Sequence, residues 1–165
     1  MSDAETTAGE RLPTDPVDRV GLVIGRVLDE LDLEAEVKLS ESPEEILAEI
    51  EGGEELGILI GRRGQTLDAL QLVCYRAAFQ GAGERKRVLV DAAGYRIRRR
   101  ETIEEEAENA AALALRRDEA VKLEPMSASE RRMAHEVLKE RSDVETFSEG
   151  DDPERRVVVA PLVSE

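Results

Sequence analysis

The strongest constraint on the fold of this chain is the short segment Gly61-Arg62-Arg63-Gly64, which lies between an apolar stretch and a helical pattern. A glycine at each end lets the backbone turn sharply and come close to a ligand. Gly-x-x-Gly alone is a weak motif that also occurs in ordinary turns. Its meaning comes from the order of the elements around it: helix, strand, strand, short helix, Gly-x-x-Gly, helix, strand.

The residues before this segment predict a helix and two strands. Asp15-Pro16 is typical of an N-cap followed by a first-turn proline, and apolar residues then recur at helical spacing to about residue 31. Apolar and polar residues alternate over 34–39 and 46–51, which predicts two strands.

The residues after the segment predict further helices and a second set of strands. Pro125 interrupts the helical pattern, and we take it as a domain boundary. The predicted elements are a helix closed by Gly81 and Gly83, a strand over 87–91, a helix over 95–117, a helix from Ser127 or Ser129 to about 139, and strands over 144–148 and 156–160.

These elements predict an α+β protein with two folded parts. Residues 1–14 are read as a disordered acidic tail. The first domain covers 15–93, a connecting helix and linker cover 94–124, and a small α/β domain covers 125–162.

The net charge of −15 argues against some functions, but the distribution of the charge along the chain weakens that argument. An acidic surface repels phosphate, which argues against nucleic acid. Residues 1–55 carry 17 acidic and 4 basic side chains, residues 56–117 carry 8 and 12, and residues 118–165 carry 13 and 7. The middle is therefore locally basic, although any single basic cluster is more simply a solvated face paired with Glu.

Composition excludes several kinds of site. With one Cys and one His, the chain has no internal disulfide and no Cys/His metal cage. The N-terminal residues lack the pattern of a signal peptide, and the apolar runs are too short to span a bilayer. We therefore expect a cytoplasmic protein without cofactor, metal or membrane insertion.

The Gly-x-x-Gly segment predicts a clamp for a phosphate backbone. The helix that follows presents unpaired N–H groups and the positive end of its dipole. Arg62 and Arg63 add forked donors that suit phosphate. With the apolar flank over 58–60 as a surface for bases, these groups would hold about four unpaired nucleotides.

A second candidate site lies on the helix after Pro125. A helical wheel groups its cationic and ionisable residues on one face, opposite an apolar face. An amphipathic helix of this kind suits a single strand, with Arg on phosphate and imidazole on phosphate or a base. The polar face holds Arg131, Arg132, His135 and Lys139, and the apolar face holds Met133, Ala134, Val137 and Leu138.

No catalytic residue is assigned. His135 is the single imidazole, and no Gly-x-Ser-x-Gly elbow accompanies it. The glycine segment lacks the Gly-Lys-Ser/Thr ending of a Walker loop. A metal nuclease built from Asp and Glu stays open, although abundant acids usually mark a solvated surface.

The first domain resembles a type II KH domain. The stretch from Gly57 to Gln71, together with 87–91 and Tyr95-Arg96, is similar to the Jag/KhpB family of bacterial RNA-binding proteins. The family departs from this sequence at the front, where many members carry an extra N-terminal domain and a basic linker. Because only about 15 residues precede the first predicted helix here, and their charged side chains are mostly acidic, we expect this chain to lack that domain.

The second domain resembles the Arg-xxx-His module, which binds single-stranded nucleic acid. Arg131 and His135 supply its defining pair, and 146–150 and 153–159 are similar to the Jag/KhpB continuation. Both modules in the family's order imply a non-catalytic binder of single-stranded RNA, acting as a post-transcriptional regulator or RNA chaperone. The resemblance also implies a small KH-domain protein as partner and a role near cell-wall synthesis and cell shape.

An alternative reading is an acidic adaptor whose KH-like module docks a protein. The acidic residues 1–55 favour a basic protein partner or self-shielding of the RNA groove. Both functions are compatible in one chain.

Overall fold

A computed structural model describes residues 13–81 and 84–162. The chain forms two compact units, of which the first ends at Tyr95 and the second begins at Arg96. The predicted disordered tail lies outside the described residues apart from its last two. The carbonyl of Pro13, at the end of that tail, accepts a hydrogen bond from Nε of Arg19.

The first unit follows the element order that the sequence predicts. Its first helix begins as expected, because the side chain of Asp15 accepts a hydrogen bond of 2.7 Å from the backbone N–H of Val17 and Pro16 occupies the first turn. The elements of this unit are α1 (Pro16–Glu30), β1 (Ala35–Glu41), β2 (Glu45–Gly52), α2 (Gly57–Ile60), α3 (Gln65–Ala78) and β3 (Arg87–Ala92).

The three strands form one sheet in the order β1-β2-β3. β1 and β2 are antiparallel, whereas β2 and β3 are parallel, with Ala48 opposite Val90. Ile46, Ala48 and Ile50 alternate along β2 and are all buried. They share one apolar core with the inward residues of α1 and α3, so this core fixes the end of α2 and the start of α3.

The second unit is built from two helices and a separate sheet. Its strands are antiparallel in the order β4-β6-β5. β4 has only two residues, too few for the sequence to indicate a strand there. The elements are α4 (Tyr95–Arg117), whose first residue still belongs to the first unit, β4 (Val121–Lys122), α5 (Ala128–Leu138), β5 (Val144–Glu149) and β6 (Arg156–Pro161).

The long helix α4 differs from its predicted role as a connecting segment. Ile103 and three alanines of α4 pack in one core with Ala134 of α5 and Val159 of β6. Alanine lets the helix approach its neighbours closely, so a helix with a highly charged surface still buries a full stripe. The interpretation of 94–124 as a linker, with a boundary at Pro125, is therefore wrong: the second unit includes α4.

The α+β fold class is confirmed in both units. No helix in the described part of the chain combines the length and the apolar character that crossing a membrane requires. Within 13–81 and 84–162, no group of three His, Cys, Asp or Glu side chains is arranged to hold a metal ion.

Candidate functional site

The Gly61–Gly64 loop joins α2 to α3 through backbone conformations that favour glycine. Gly61 has φ 68° and ψ −172°, and Gly64 has φ 79° and ψ 6°. Arg63 also adopts a left-handed conformation, with φ 53° and ψ 35°. A non-glycine residue pays roughly 1–2 kcal/mol for this conformation, so the surrounding contacts must hold the loop in place.

Space as well as conformation excludes side chains at both glycines. A Cβ atom at Gly61 would lie 2.0 Å from Oγ1 of Thr66, in the first turn of α3. A Cβ atom at Gly64 would lie 2.7 Å from Cε1 of Tyr95. The loop backbone therefore lies directly against α3 on one side and the Tyr95 ring on the other.

The loop presents cationic groups at a helix start that no side chain caps. Arg62 is exposed, Arg63 is half-buried and Gly64 is buried. Gly64 is the N-cap of α3 and has no side chain with which to bond the first N–H groups. The positive end of the helix dipole and the Arg62 guanidinium thus lie in one short segment, which can attract a phosphate oxygen.

The apolar flank of the loop is smaller than the sequence predicts. Ile58 is 56% exposed, but Leu59 is 1% exposed and Ile60 is half-buried. Leu59 packs into the core of the first unit, where it anchors α2. Of these three flank residues, only Ile58 therefore offers a broad apolar surface.

Several basic clusters of the sequence are paired with carboxylates. Lys86 contacts Glu41, and Arg87 lies 3.2 Å from Glu45. In the second unit, Arg99 of α4 forms a 2.7 Å ion pair with a carboxylate of α5. These pairs support the interpretation of those clusters as charged surfaces paired with carboxylates. Among the described residues, Arg62 makes no such pair.

Helix α5 begins with the predicted serine cap. Ser127 and Glu130 form a reciprocal capping box, in which the Glu130 carboxylate accepts from the Ser127 backbone N–H at 2.7 Å. The same carboxylate binds Arg99 of α4, and Glu130 is 8% exposed. The start of α5 is therefore fixed in the unit, and the orientation of the Arg-xxx-His residues is fixed with it.

Arg131 is buried, although the helical wheel groups it with the polar residues of α5. It is 7% exposed and lies on the buried side of α5 with Ala134 and Leu138. Its Nη1 donates to the carbonyl of Met126 and to Oδ1 of Asp152, each at 2.7 Å. The wheel does not reveal this burial, because the charged partner Asp152 lies outside the helix.

The ion pair between Arg131 and Asp152 also changes the pKa of the Asp152 carboxyl group. The hydrogen bond and charge of Arg131 lower the pKa of Asp152 below its ordinary value. Asp152 lies in the turn between β5 and β6, so the ion pair connects that turn to α5. The carboxylate stays charged at neutral pH and keeps the guanidinium turned toward it.

His135 is held between two hydroxyl groups of β5. Its Nδ1 lies 2.7 Å from Oγ1 of Thr146, and its Nε2 lies 3.0 Å from Oγ of Ser148. Burial lowers the pKa of His135, and the charge on Arg131 lowers it further. At neutral pH the imidazole is mainly neutral, so it orients hydroxyl groups rather than supplying a charge.

A polar cavity of about 350 Å³ opens beside α5 and the β5–β6 turn. Three arginines and the carboxylates of Glu136 and Asp152 line it. Its charged side chains therefore carry a formal net charge of +1, which favours an anion. Arg132 is exposed, and Arg155 donates to the carbonyl of Gly150 at 3.3 Å. The polar lining includes Arg131, Arg132, His135, Ser148, Asp152 and Arg155.

The structure thus brings together all three predicted residues of the second site, but only Arg132 offers an exposed charge. Sequence reasoning missed Ser148, Asp152 and Arg155 as parts of this cavity. The alternation of Thr146 and Ser148 places both hydroxyls on one face of β5, and this signal was available in the sequence. Asp152 and Arg155 lie close to α5 because the β5–β6 hairpin folds back toward that helix, which a local sequence pattern does not show.

Comparisons with known proteins identify both units. The family model described as "KhpA/KhpB, KH domain" matches residues 23–90, and the model of the Arg-xxx-His domain, also written R-three-H, matches residues 101–161. The RNA-binding protein KhpB of Bacillus subtilis (strain 168) is 32% identical over 148 residues, which cover 88% of this chain and 71% of that protein. The chain belongs to the KhpB family.

Other KhpB proteins align over a smaller share of their length. RNA-binding protein KhpB of Clostridium symbiosum is 36% identical over 137 residues, covering 82% of this chain and 61% of that protein. The KhpB protein of Lactiplantibacillus plantarum is 38% identical over 104 residues, which are 63% of this chain and 32% of that relative. The second family match begins at residue 101 and so includes most of α4, in agreement with the packing of that helix.

Proposed function

We propose that this member of the KhpB family is a non-catalytic RNA-binding protein that holds single-stranded RNA at Gly61 to Gly64. The observation that carries the proposal is the loop itself: two glycines without room for a side chain, an exposed Arg62 and an uncapped helix start. A backbone clamp of this type needs cations and N–H groups but no array of aromatic rings. That requirement fits a chain with two Tyr, two Phe and no Trp.

The cavity beside α5 supplies additional contacts in this proposal. Arg132 and Arg155 line it, and both suit a phosphate group. Two weak sites on one chain raise the overall affinity, because binding at one site increases the effective concentration of the strand at the other.

The geometry around His135 supports binding rather than catalysis. Ser148 lies at the distance from the imidazole expected for a nucleophile and its base. A serine triad also needs a carboxylate at the other ring nitrogen, whereas His135 has the hydroxyl of Thr146 there. The similar proteins are likewise named for RNA binding.

The direct test is fluorescence anisotropy with a single-stranded RNA oligonucleotide and the double variant Arg62→Asp, Arg63→Asp. We expect the affinity to fall at least roughly tenfold, because two cations at the phosphate become two anions. The matched control is Arg116→Asp, Arg117→Asp, which makes the same charge change at two exposed residues ending α4. Equal losses in both variants, or no loss in the first, would refute the clamp.

The proposed cellular role is that of a post-transcriptional regulator or RNA chaperone in the cytoplasm. A clamp that reads the backbone accepts many sequences, which suits either role. Crosslinking in the native cell followed by sequencing of the bound RNA tests this role. Recovery of no RNA above the level of the Arg62→Asp, Arg63→Asp variant would reject it.

A second function, docking of a protein, is favoured by one surface of α3. Leu72 is 56% exposed and its neighbour Val73 is 53% exposed, next to the exposed Arg76. Two adjacent apolar side chains on one helix are a candidate protein contact. A small KH-domain protein is the partner that we propose for it.

The partner proposal is tested with the double variant Leu72→Ser, Val73→Ser and a purified small KH-domain protein from the same organism. Calorimetry should detect binding to the parent chain and none to the variant. RNA affinity should stay within about twofold of the parent, because neither residue belongs to the glycine loop. Binding of the partner by both chains would exclude this surface.

A further inference from the structure

Arg131 connects three segments of the second unit. Its guanidinium bonds the carbonyl of Met126, before α5, and both carboxylate oxygens of Asp152, at 2.7 and 3.5 Å. The side chain itself is 9% exposed, whereas that of Asp152 is 67% exposed. The donors of Arg131 thus point to protein acceptors, and little of its surface can meet a strand in solution.

The positions of the cavity's other two arginines depend on the segments that Arg131 connects. Arg132 is the next residue of α5 and is exposed. Arg155 follows the β5–β6 turn that contains Asp152, and it bonds the carbonyl of Gly150 in the same turn. A shift of this turn relative to α5 would therefore change the separation of the Arg132 and Arg155 charges.

We propose that Arg131 is a positioning residue, which holds the β5–β6 turn against α5 so that Arg132 and Arg155 can contact one phosphate backbone. Arg131 does not contact the strand. This inference rests on the proposed RNA-binding function. It separates the residues that touch RNA from the motif residue beside them.

Conservative substitutions distinguish positioning from contact. A lysine retains the charge needed to bind phosphate, but its compact ammonium cannot reproduce a planar fork that bonds a carbonyl and both carboxylate oxygens. We expect Arg132→Lys to bind single-stranded RNA within about threefold of the parent. We expect Arg131→Lys to bind about tenfold more weakly, at a temperature where circular dichroism shows both variants folded.

A double-mutant cycle identifies the residue through which Arg131 acts. In the parent, Arg155→Gln should weaken binding about fivefold. In the Arg131→Lys background, the same change should have less than about a twofold effect, because Arg155 is already displaced. If the fold losses of the two single variants multiply in the double variant, the positioning role is contradicted. It is also contradicted if Arg131→Lys binds RNA as tightly as the parent.

Nuclear magnetic resonance of the parent chain covers the case in which Arg131→Lys does not fold. On addition of the RNA oligonucleotide, the side-chain Nε–Hε signals of Arg132 and Arg155 should shift more than that of Arg131. A largest shift at Arg131 would overturn the inference. If the parent binds no RNA, the RNA-binding function itself fails. Unchanged backbone amide signals of Gly150, Asp152 and Arg155 in folded Arg131→Lys would separately reject the positioning.

Discussion

The substitution Gly64→Ala tests whether the glycine loop is held in a single close-packed arrangement. The new Cβ atom would lie 2.7 Å from Cε1 and 3.2 Å from the hydroxyl oxygen of Tyr95. The residue would also keep a φ of 79°, which costs an alanine roughly 1–2 kcal/mol. Crowding against the ring adds about 1–3 kcal/mol, as overpacking does elsewhere.

Together these effects lower the free energy of unfolding of the first unit by about 2–5 kcal/mol, a large part of the roughly 5–15 kcal/mol typical of a domain. Gly57→Ala is the matched control, because Gly57 has a φ of −53° and nothing lies within 4 Å of its Cβ position. That change should stabilise the unit by about 0.5–1 kcal/mol.

The assay is a urea titration followed by two-dimensional NMR, which reports the amides of β2 and β3 separately from those of the second unit. The midpoint should move to lower urea in Gly64→Ala, while the slope stays the same. A midpoint equal to that of Gly57→Ala would refute the close contact between the loop and Tyr95. RNA affinity should fall in Gly64→Ala as well, since the loop must move to admit the methyl group.

Three further predictions concern single side chains. His135 has a folded-state pKa below its unfolded value. Its contribution to stability is therefore complete above about pH 6.5 and is lost as the pH falls through the folded pKa. Thermal unfolding measured between about pH 7.5 and 5 should depend less on pH in His135→Gln than in the parent. Burial raises the pKa of the Cys74 thiol to about 12, so a thiol reagent at about pH 7.5 should label the native chain far more slowly than the urea-unfolded chain; equal labelling rates would contradict the buried position. Ser127→Ala removes a capping box and should lower the stability of the second unit by about 1 kcal/mol, measured by urea titration, whereas Ser129→Ala should change it less.

The order of the elements could be predicted because periodicity and end signals agree along this chain. Asp15, Ser127 and Pro125 mark helix boundaries through local hydrogen bonds and backbone limits, which a sequence displays directly. The strand β4 could not be predicted, because two residues are too few to show alternation. The long helix was predicted over its full length, but a stripe of alanines does not indicate which core it joins.

The candidate site was predictable where conformation alone determines it. Gly61 and Gly64 are needed for their positive φ values and for the lack of space, and both causes are local. The orientation of Arg131 was not predictable, because its partner Asp152 is 21 residues away along the chain. The burial of Leu59 was not predictable for a similar reason, because its neighbours in the core come from several elements.

A phosphate backbone that binds where α2 turns into α3 will perturb the backbone amides of that turn. The most direct measurement is an NMR titration of the parent chain with a single-stranded RNA oligonucleotide at moderate salt. The amide signals of Gly61, Arg62, Gly64 and Thr66 should shift most among those of the first unit. Binding of the RNA with these four signals unchanged would contradict binding at this turn.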